Sequence, residues 1–292
     1  MENRLESAGI IGLGLIGGSL GLALRAQGVR VVGWDRPEPL AAAAKRGALS
    51  APAAALGEAC QAQVVVLAAP VGAILDLLPE VLAAAPADSL VTDTGSTKAV
   101  ICRRAAAWAQ GRGPAALFVG GHPVAGGEGS GIEASRESLF AGAPWLLAGA
   151  AGDARAQRWE HALRRLGARP GWLAAERHDE LMARLSHLPQ LVSTALAAQL
   201  LQEFGLPLDE LQYAGPGLRD MLRLAGSSYA LWRDILLTNG EEIAGALNDF
   251  EQLLDHMRQH LRTRELEGIF AQARRAYAAR PSAPRAPARE EP

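Results

Sequence analysis

The chain has 292 residues, 49% of them hydrophobic and 21% charged, with a formal net charge of −2 at pH 7. That length fits one large domain or two of ordinary size, and the composition supplies enough apolar material for a core. A nearly balanced charge gives no electrostatic basis for a nucleic-acid or anionic-membrane partner. Two cysteines, Cys60 and Cys102, are too few for a disulfide framework and predict free thiols without metal-binding spacing.

The two longest apolar stretches do not predict a membrane segment. Residues 8–24 follow charges of both signs and are interrupted repeatedly by glycine. Residues 64–75 fall short of the roughly 20 residues that span a bilayer. We therefore expect a cytoplasmic protein.

The first half of the chain alternates short β-rich runs with helix-forming stretches. Predicted strands lie at 10–13, 29–34, 64–68, 90–93, 117–120 and 145–147, and predicted helices at 15–27, 40–46, 98–110 and 154–166. Continuous apolar runs such as 64–68 are typical of parallel strands that are buried on both faces. This alternation predicts an α/β fold, with a doubly wound Rossmann domain of parallel strands over residues 1–174.

Residues 175–280 carry helical patterns alone, which predicts a C-terminal all-helical dimerisation domain that also binds substrate. The predicted helices are 177–204, with Pro189 marking a kink or boundary, then 217–224, 229–239 and 241–279. The last has one apolar stripe at three- and four-residue spacing, formed by Leu247, Phe250, Leu254, Met257 and Leu261. A stripe on so long a helix usually packs against a partner chain, so we expect a homodimer. Residues 281–292, rich in proline, alanine and charge, predict a disordered tail.

A glycine-rich turn follows the first predicted strand and opens the first helix. Its G-x-G-x-x-G pattern consists of Gly12, Gly14 and Gly17, and Asp35 ends the next strand. In this setting the three glycines permit a tight turn, close approach of a pyrophosphate, and packing of the helix on the strand. The helix N-terminus adds free N–H groups and partial positive charge. The alternative is a structural turn that binds no ligand.

The predicted cofactor contacts are Gly12, Gly14, Leu15, Ile16, Gly17, Asp35 and Arg36. A carboxylate at position 35 would accept hydrogen bonds from the ribose hydroxyls and repel a 2′-phosphate, which favours NAD. Arg36 could pair with such a phosphate, so the use of NADP is left open.

Three polar clusters are expected at the edge of the sheet where doubly wound folds bind ligands. The first, 93–98, contains Ser96, which by itself could be only a helix N-cap. In the second, 120–128, His122 leaves a strand between glycine and proline, which predicts an exposed imidazole suited to proton transfer. The third joins 186–190 with 217–223, where Arg219 and Arg223 share one helix face, either as a solvated pair or as a clamp for carboxylates.

Together these motifs resemble the prephenate and arogenate dehydrogenases of tyrosine biosynthesis, from about Ile10 to Asn239. The motifs are Gly12-x-Gly14-x-x-Gly17-Gly18-Ser19, Asp93-x-Gly95-Ser96-x-Lys98, Gly120-Gly121-His122-Pro123-x-Ala125-Gly126, Ser186-His187-Leu188-Pro189, Arg219-Asp220-x-x-Arg223-x-Ala225 and Trp232-Arg233-Asp234-Ile235. The second glycine-rich motif and the Ser-His-Leu-Pro motif are the specific ones.

The resemblance implies an NAD(P)-dependent oxidoreductase that oxidatively decarboxylates a cyclohexadienol. Hydride leaves the carbinol carbon for the nicotinamide, the ring carboxylate departs as CO2, and the ring becomes aromatic. By resemblance, His122 removes the hydroxyl proton, Ser96 holds hydroxyl and imidazole in register, and Arg223, with Arg219 as a second cation, binds substrate carboxylates. Ser186 and His187 would line the substrate pocket.

One position departs from the family pattern. Many members that use prephenate carry histidine where this chain has Gln190, in a stretch that faces the substrate side chain. Prephenate is the first choice of substrate, while arogenate, or both compounds in a cyclohexadienyl dehydrogenase, stays open. No chorismate mutase segment precedes the Rossmann unit and no regulatory module follows the long helix, so the expectation is a monofunctional enzyme.

Two other classes of protein fit the sequence less well. A β-hydroxyacid dehydrogenase would need a catalytic lysine in its second domain, but the only lysines are Lys45 and Lys98. A non-catalytic dinucleotide sensor would account for the glycine turn but not for the joint presence of His122, Ser96 and the arginine pair.

Overall fold

The structure is a computed structural model that describes residues 4–112, 115–127 and 129–280. None of the helices in these ranges is both long enough and apolar enough to cross a membrane. The predicted disordered tail, residues 281–292, lies outside the described residues.

An eight-stranded sheet dominates the described N-terminal half. Its strands are β1 Ser7–Ile11, β2 Arg30–Trp34, β3 Ala51–Pro52, β4 Val64–Leu67, β5 Leu90–Asp93, β6 Leu117–Pro123, β7 Pro144–Ala148 and β8 Arg169–Trp172. They are arranged in the order β3-β2-β1-β4-β5-β6-β7-β8. Two short edge strands, β3 and β8, were not predicted, because a two-residue run and a run containing proline and glycine carry little β signal.

The prediction of a doubly wound sheet is confirmed by the way its two faces are covered. Along β4, Val64 and Val66 belong to one apolar core and Val65 and Leu67 to the other. Helices α1 Leu15–Ala26 and α6 Ala154–Arg165 contribute to the first core, and α4 Val71–Ala84 and α5 Ala99–Ala109 to the second. The shorter helices α2 Pro37–Lys45 and α3 Leu56–Ala59 complete this half.

The expectation that the whole sheet is parallel is wrong at one pair. Strand β7 runs antiparallel to β6, with His122 opposite Leu146 and Pro123 opposite Trp145. In the described part of the connection, residues 124–127 and 129–143, the chain forms only two short 3₁₀ turns, Ile132–Ala134 and Glu137–Phe140. A parallel pairing needs a crossover of a dozen or more residues that is usually helical, so without a crossover helix the chain returns in the opposite direction.

The second half is all-helical, as predicted. Its helices are α7 Ala175–Met182, α8 Leu188–Phe204, α9 Pro216–Leu222, α10 Tyr229–Thr238, α11 Gly240–Gln259 and α12 Leu266–Ala279. A single π-helical turn, Ala183–His187, joins α7 to α8 and places Pro189 in the first turn of α8, where a missing N–H costs nothing.

The long helix predicted over 241–279 is two helices. Helix α11 ends at Gln259, and α12 begins only at Leu266. Between them the Thr263 hydroxyl accepts a hydrogen bond from the Glu265 N–H at 3.3 Å, a local side-chain contact that competes with continued helix.

Candidate active site

The carboxyl ends of β1, β4, β5 and β6 lie along one edge of the sheet, and the predicted polar clusters meet there. The glycine turn follows β1, residues 94–97 follow β5, and His122 is the second-to-last residue of β6. Two adjoining cavities occupy this edge and share lining residues that include Gly14 and Pro70.

The glycine turn has the geometry that a close-packed βα unit needs. Gly12 has a φ of 95°, in the region that favours glycine. A Cβ on Gly17 would lie 1.9 Å from the Gly12 carbonyl oxygen, so a side chain at this position would force α1 away from β1. Gly14 has no heavy atom within 4 Å of its would-be Cβ, which leaves room for a ligand beside the backbone.

The first cavity, of 740 Å³, is lined by the turn and by the end of β2. Gly12, Gly14, Asp35 and Arg36 all line it. The carboxylate of Asp35 accepts a hydrogen bond from the Leu13 N–H at 2.7 Å, which ties the second strand to the turn. The side chain of Arg36 is 87% exposed and stands 3.9 Å from that carboxylate.

The second cavity, of 450 Å³, brings the start of α1 together with the other two sheet-edge clusters. Leu15 and Ile16, whose backbone N–H groups open α1, line it beside Ser96 and His122. Ser96 is held on a loop that is anchored on both sides. Asp93 Oδ2 accepts from the Gly95 N–H at 2.8 Å, and the hydroxyls of Thr97 and Thr238 lie 2.8 Å apart.

The exposed position expected for His122 is wrong. Strand β6 continues through Pro123, and the His122 side chain is only 9% exposed, packed against the His178 ring. Burial lowers the pKa of His122 well below 6.5, and the neighbouring His178, Lys98 and His187 lower it further. The imidazole is therefore neutral at pH 7.

Behind His122 lies a buried polar network that the sequence motifs did not reveal. His122 Nδ1 is 2.8 Å from His178 Nε2, and His178 Nδ1 is 2.8 Å from Asp179 Oδ1. The Asp179 carboxylate also accepts the backbone N–H groups of Lys98 at 2.7 Å and Ala99 at 2.9 Å, where α5 begins. Although burial raises the pKa of Asp179, these hydrogen bonds hold it below its usual value.

A buried ion pair supports the same loop. The ammonium group of Lys98 contacts the Asp93 carboxylate and donates to the Gly121 carbonyl at 2.8 Å. Asp93 Oδ1 in turn accepts the Gly121 N–H at 3.0 Å. Lys98 thereby joins the end of β5 to the residue before His122, which fixes two of the clusters relative to each other.

The two predicted clamp arginines have different surroundings. Helix α9 ends at Leu222, and Arg223 begins a 3₁₀ turn, Arg223–Gly226, so the expected single helix over both arginines is interrupted. Arg223 lines a third cavity, of 700 Å³, which shares Gly126, Gly127 and Leu231 with the cavity at His122. Both arginines are exposed, but Arg219 lines none of these three cavities.

Comparison with known proteins identifies the family. A family model of the prephenate dehydrogenase nucleotide-binding domain matches residues 20–169, and one of the prephenate dehydrogenase dimerization domain matches residues 174–274. A prephenate dehydrogenase of Bacillus subtilis (strain 168) is 33% identical over 278 residues, which cover 92% of this chain and 74% of that protein. The chain belongs to the prephenate dehydrogenase family.

Solved structures of this family share the fold over nearly the whole chain. The A. aeolicus prephenate dehydrogenase in complex with hydroxyphenyl propionate and NAD+ has a TM-score of 0.81 at 28% identity, covering 94% of this chain and 96% of that one. The Synechocystis arogenate dehydrogenase has a TM-score of 0.79 at 28% identity, covering 93% and 99% respectively.

Three residues that the resemblance to prephenate dehydrogenases placed at the substrate do not line the three cavities described above. Ser186 and His187 belong to the π-helical turn, and His187 is buried, with Nδ1 3.3 Å from the Asn239 amide. The Gln190 amide donates to the Leu224 carbonyl at 2.8 Å and to Thr194 at 3.2 Å. None of the three lines the cavities at this edge of the sheet.

Three residues that the sequence analysis did not assign to the site connect the two halves of the molecule. They are His178, Asp179 and Asp234. The Asp234 carboxylate accepts the Gly72 N–H at 2.9 Å, which joins α10 to the start of α4. Asp234 belongs to the Trp232-Arg233-Asp234-Ile235 motif, but its partner lies 162 positions away in the chain. The adjacent residues His178 and Asp179 are harder to recognise from the sequence as site residues, because two polar residues in a helix usually indicate a solvated face.

Proposed function

We propose that this chain is an NAD-dependent prephenate dehydrogenase that converts prephenate to 4-hydroxyphenylpyruvate. One observation carries the proposal: a neutral, buried imidazole and the opening N–H groups of α1 line the same cavity, with Ser96 beside them. A non-catalytic dinucleotide sensor would account for the glycine turn, but it would not account for a neutral histidine next to it.

The residues present fit a dinucleotide. The turn leaves space beside Gly14, and the start of α1 presents N–H groups and the positive end of the helix dipole, which suit a pyrophosphate. Asp35 lines the adjoining cavity, as an NAD ribose requires. NAD supplies a hydride acceptor when it is bound. The exposed guanidinium of Arg36 keeps NADP a second candidate.

The chain's own residues supply proton removal and alignment. The neutral His122 accepts the proton of the substrate hydroxyl as the carbinol carbon is oxidised. Ser96, held by its anchored loop, orients that hydroxyl toward the imidazole. Arg223, at the mouth shared with the third cavity, binds a substrate carboxylate through charge-assisted hydrogen bonds. Loss of CO2 then makes the ring aromatic, so the protein need not stabilise a strongly basic intermediate.

Arogenate is the second candidate substrate. The chain is about as similar to the Synechocystis arogenate dehydrogenase as to the A. aeolicus prephenate dehydrogenase. Gln190, the departure from the family pattern, uses its amide to hold the Leu224 carbonyl next to Arg223. Any influence on the choice between keto acid and amino acid would thus act through the arginine turn.

The deciding experiment is to follow NADH or NADPH formation with prephenate and with arogenate, each with NAD and with NADP. We expect the greatest kcat/KM with prephenate and NAD. A greater value with arogenate would transfer the assignment to arogenate dehydrogenase. Absence of turnover in all four combinations, with NAD still bound, would favour the sensor.

We also propose the organisation of the molecule that the family models support. Residues 1–174 would form the dinucleotide-binding domain and 175–280 the substrate and dimerisation domain, because β8 ends at Trp172 and α7 begins at Ala175. Helix α12 buries none of its side chains within one chain. A homodimer formed through this half would cover them.

A further inference from the structure

We propose that His178 and Asp179 are positioning residues that hold the His122 imidazole with its proton on Nδ1 and its lone pair on Nε2. The proposal deepens the proposed function, since it rests on His122 as the base. It begins from three side chains that form an unbroken hydrogen-bonded chain, His122 to His178 to Asp179, with both distances 2.8 Å.

The chain of hydrogen bonds is buried along its whole length. His122, His178 and Asp179 are 9%, 1% and 3% exposed. In such a place a polar atom without a partner loses its hydration without compensation, so each polar atom of the network is expected to have a hydrogen-bond partner. Water cannot readily replace a missing donor or acceptor here.

Asp179 determines which atom donates in its hydrogen bond with His178. Its carboxylate accepts two backbone N–H groups at the start of α5, those of Lys98 and Ala99. Together with the His178 hydrogen bond, these contacts favour the ionised form, which can only accept. The Nδ1 atom of His178 must therefore carry a proton and donate it.

The position of the proton on His178 in turn determines the tautomer of His122. An imidazole at position 178 that carries only the Nδ1 proton presents a lone pair on Nε2, so the hydrogen bond to His122 then requires a proton on His122 Nδ1. The remaining nitrogen, Nε2 of His122, holds the lone pair and makes no hydrogen bond to any residue that the structure describes. His122 lines the cavity that contains Ser96, so this nitrogen is the one available to a substrate hydroxyl.

The other charged groups near His122 do not offer an alternative acceptor for Nδ1. Lys98 can only donate, and it is engaged by Asp93 and the Gly121 carbonyl. His187 contacts Asn239 instead. A carboxylate that orients a catalytic imidazole directly is a known arrangement. Here a second imidazole stands between the carboxylate and the base.

The first test is the tautomer itself, measured in the full chain by nitrogen-15 NMR of labelled histidines at pH 7.5. The chain has six histidines, and the His122→Asn variant identifies the His122 signals. We expect a protonated Nδ1 and an unprotonated Nε2 at His122. A proton on Nε2 would overturn the proposal, and this measurement requires neither turnover nor a variant of His178.

The second test compares two substitutions at position 178. His178→Gln keeps a carbonyl oxygen that can accept from His122 Nδ1, whereas His178→Leu has similar bulk and no acceptor. We expect His178→Leu to lower kcat about 10- to 100-fold, by analogy with the loss of an outer-shell partner of a metal-binding histidine, with KM for substrate and NAD changed less than twofold. His178→Gln should recover most of kcat and keep the His122 tautomer.

The outcomes separate this proposal from the proposed function. Equal loss of kcat in both variants, or an unchanged tautomer in His178→Leu, would show that residue 178 serves packing alone and would overturn the proposal. A protonated Nδ1 in a protein that turns over neither prephenate nor arogenate would leave the positioning role intact and refute the proposed function.

Discussion

At the scale of single residues, the proposed chemistry depends on the protonation state of His122. Burial removes the solvation that would stabilise an imidazolium, and His178, Lys98 and His187 oppose a further positive charge. A base that must accept a proton at neutral pH benefits from this, because it starts in the unprotonated form.

Replacing this imidazole tests its role directly. His122→Asn should lower kcat about 10²- to 10⁴-fold, the usual contribution of a general base. The Kd for NAD, measured by fluorescence titration, should stay near wild type because the substitution leaves the glycine turn, the proposed cofactor site, unchanged. Unaltered turnover would remove His122 from its proposed role.

The lowered pKa of His122 also predicts a pH dependence. Since protonation inactivates a base, kcat/KM should stay level as the pH falls to 6.5 and decline only below that value, where the depressed pKa is reached. The measurement is a profile of kcat/KM from pH 8 to pH 5. The residual activity of His122→Asn should lack this acidic decline. A midpoint at or above 6.5 in the wild type would contradict the prediction.

At the scale of elements, the site is assembled where the ends of strands meet the starts of helices. The N-terminus of α1 lines the cavity at His122, and the N-terminus of α5 is capped by Asp179 from α7. The loop that carries Ser96 is fixed from the helical half as well, because Thr238 of α10 contacts Thr97 and Asp179 accepts the Lys98 N–H.

The 3₁₀ turn that follows α9 gives the two proposed clamp arginines different surroundings. Arg223 lines a cavity that adjoins the one at His122, whereas Arg219 does not. Arg223→Ala should raise the substrate KM about tenfold to hundredfold, since a hydrogen bond to a charged group contributes about 1.5–3 kcal/mol. Arg219→Ala is the matched control and should change KM less than threefold. Steady-state kinetics at saturating NAD measures both, and equal effects would place the clamp elsewhere.

At the scale of the whole molecule, the helical half leaves apolar side chains uncovered in a single chain. The exposed fractions are 48% for Leu254, 69% for Leu261, 61% for Phe270 and 67% for Tyr277. Apolar surface of this extent commonly marks an interface between proteins. All four side chains lie on or directly after the two last helices, so a second copy of this half is a suitable partner.

Light scattering tests the dimer. We expect a mass of twice the 30.6 kDa chain. Phe270→Glu should shift the protein toward the single-chain mass, because a charge would be buried at the interface. Ala106→Glu, on the exposed side of α5, is the matched control and should remain a dimer. A wild-type mass equal to one chain would refute the homodimer.

Much of the first half followed from the sequence because its signals are local. The glycine turn, the apolar runs of β1 and β4, and Asp35 at the end of β2 each depend on neighbours within a few residues. Ser96 and His122 were chosen as ends of strands, and they do line one cavity. The break between α11 and α12 was missed because the apolar stripe runs past the end of α11 to Leu261.

The sequence by itself determined the Rossmann unit, the helical second half and the two strand-end residues, since short-range patterns of glycine, apolar and polar residues encode them. Only the tertiary structure decided that His122 is buried, that β7 reverses, and that Gln190 serves a backbone carbonyl. The contact of His122 with His178 joins residues 56 positions apart. No local pattern encodes such a contact, because burial and pairing arise only when distant elements pack together.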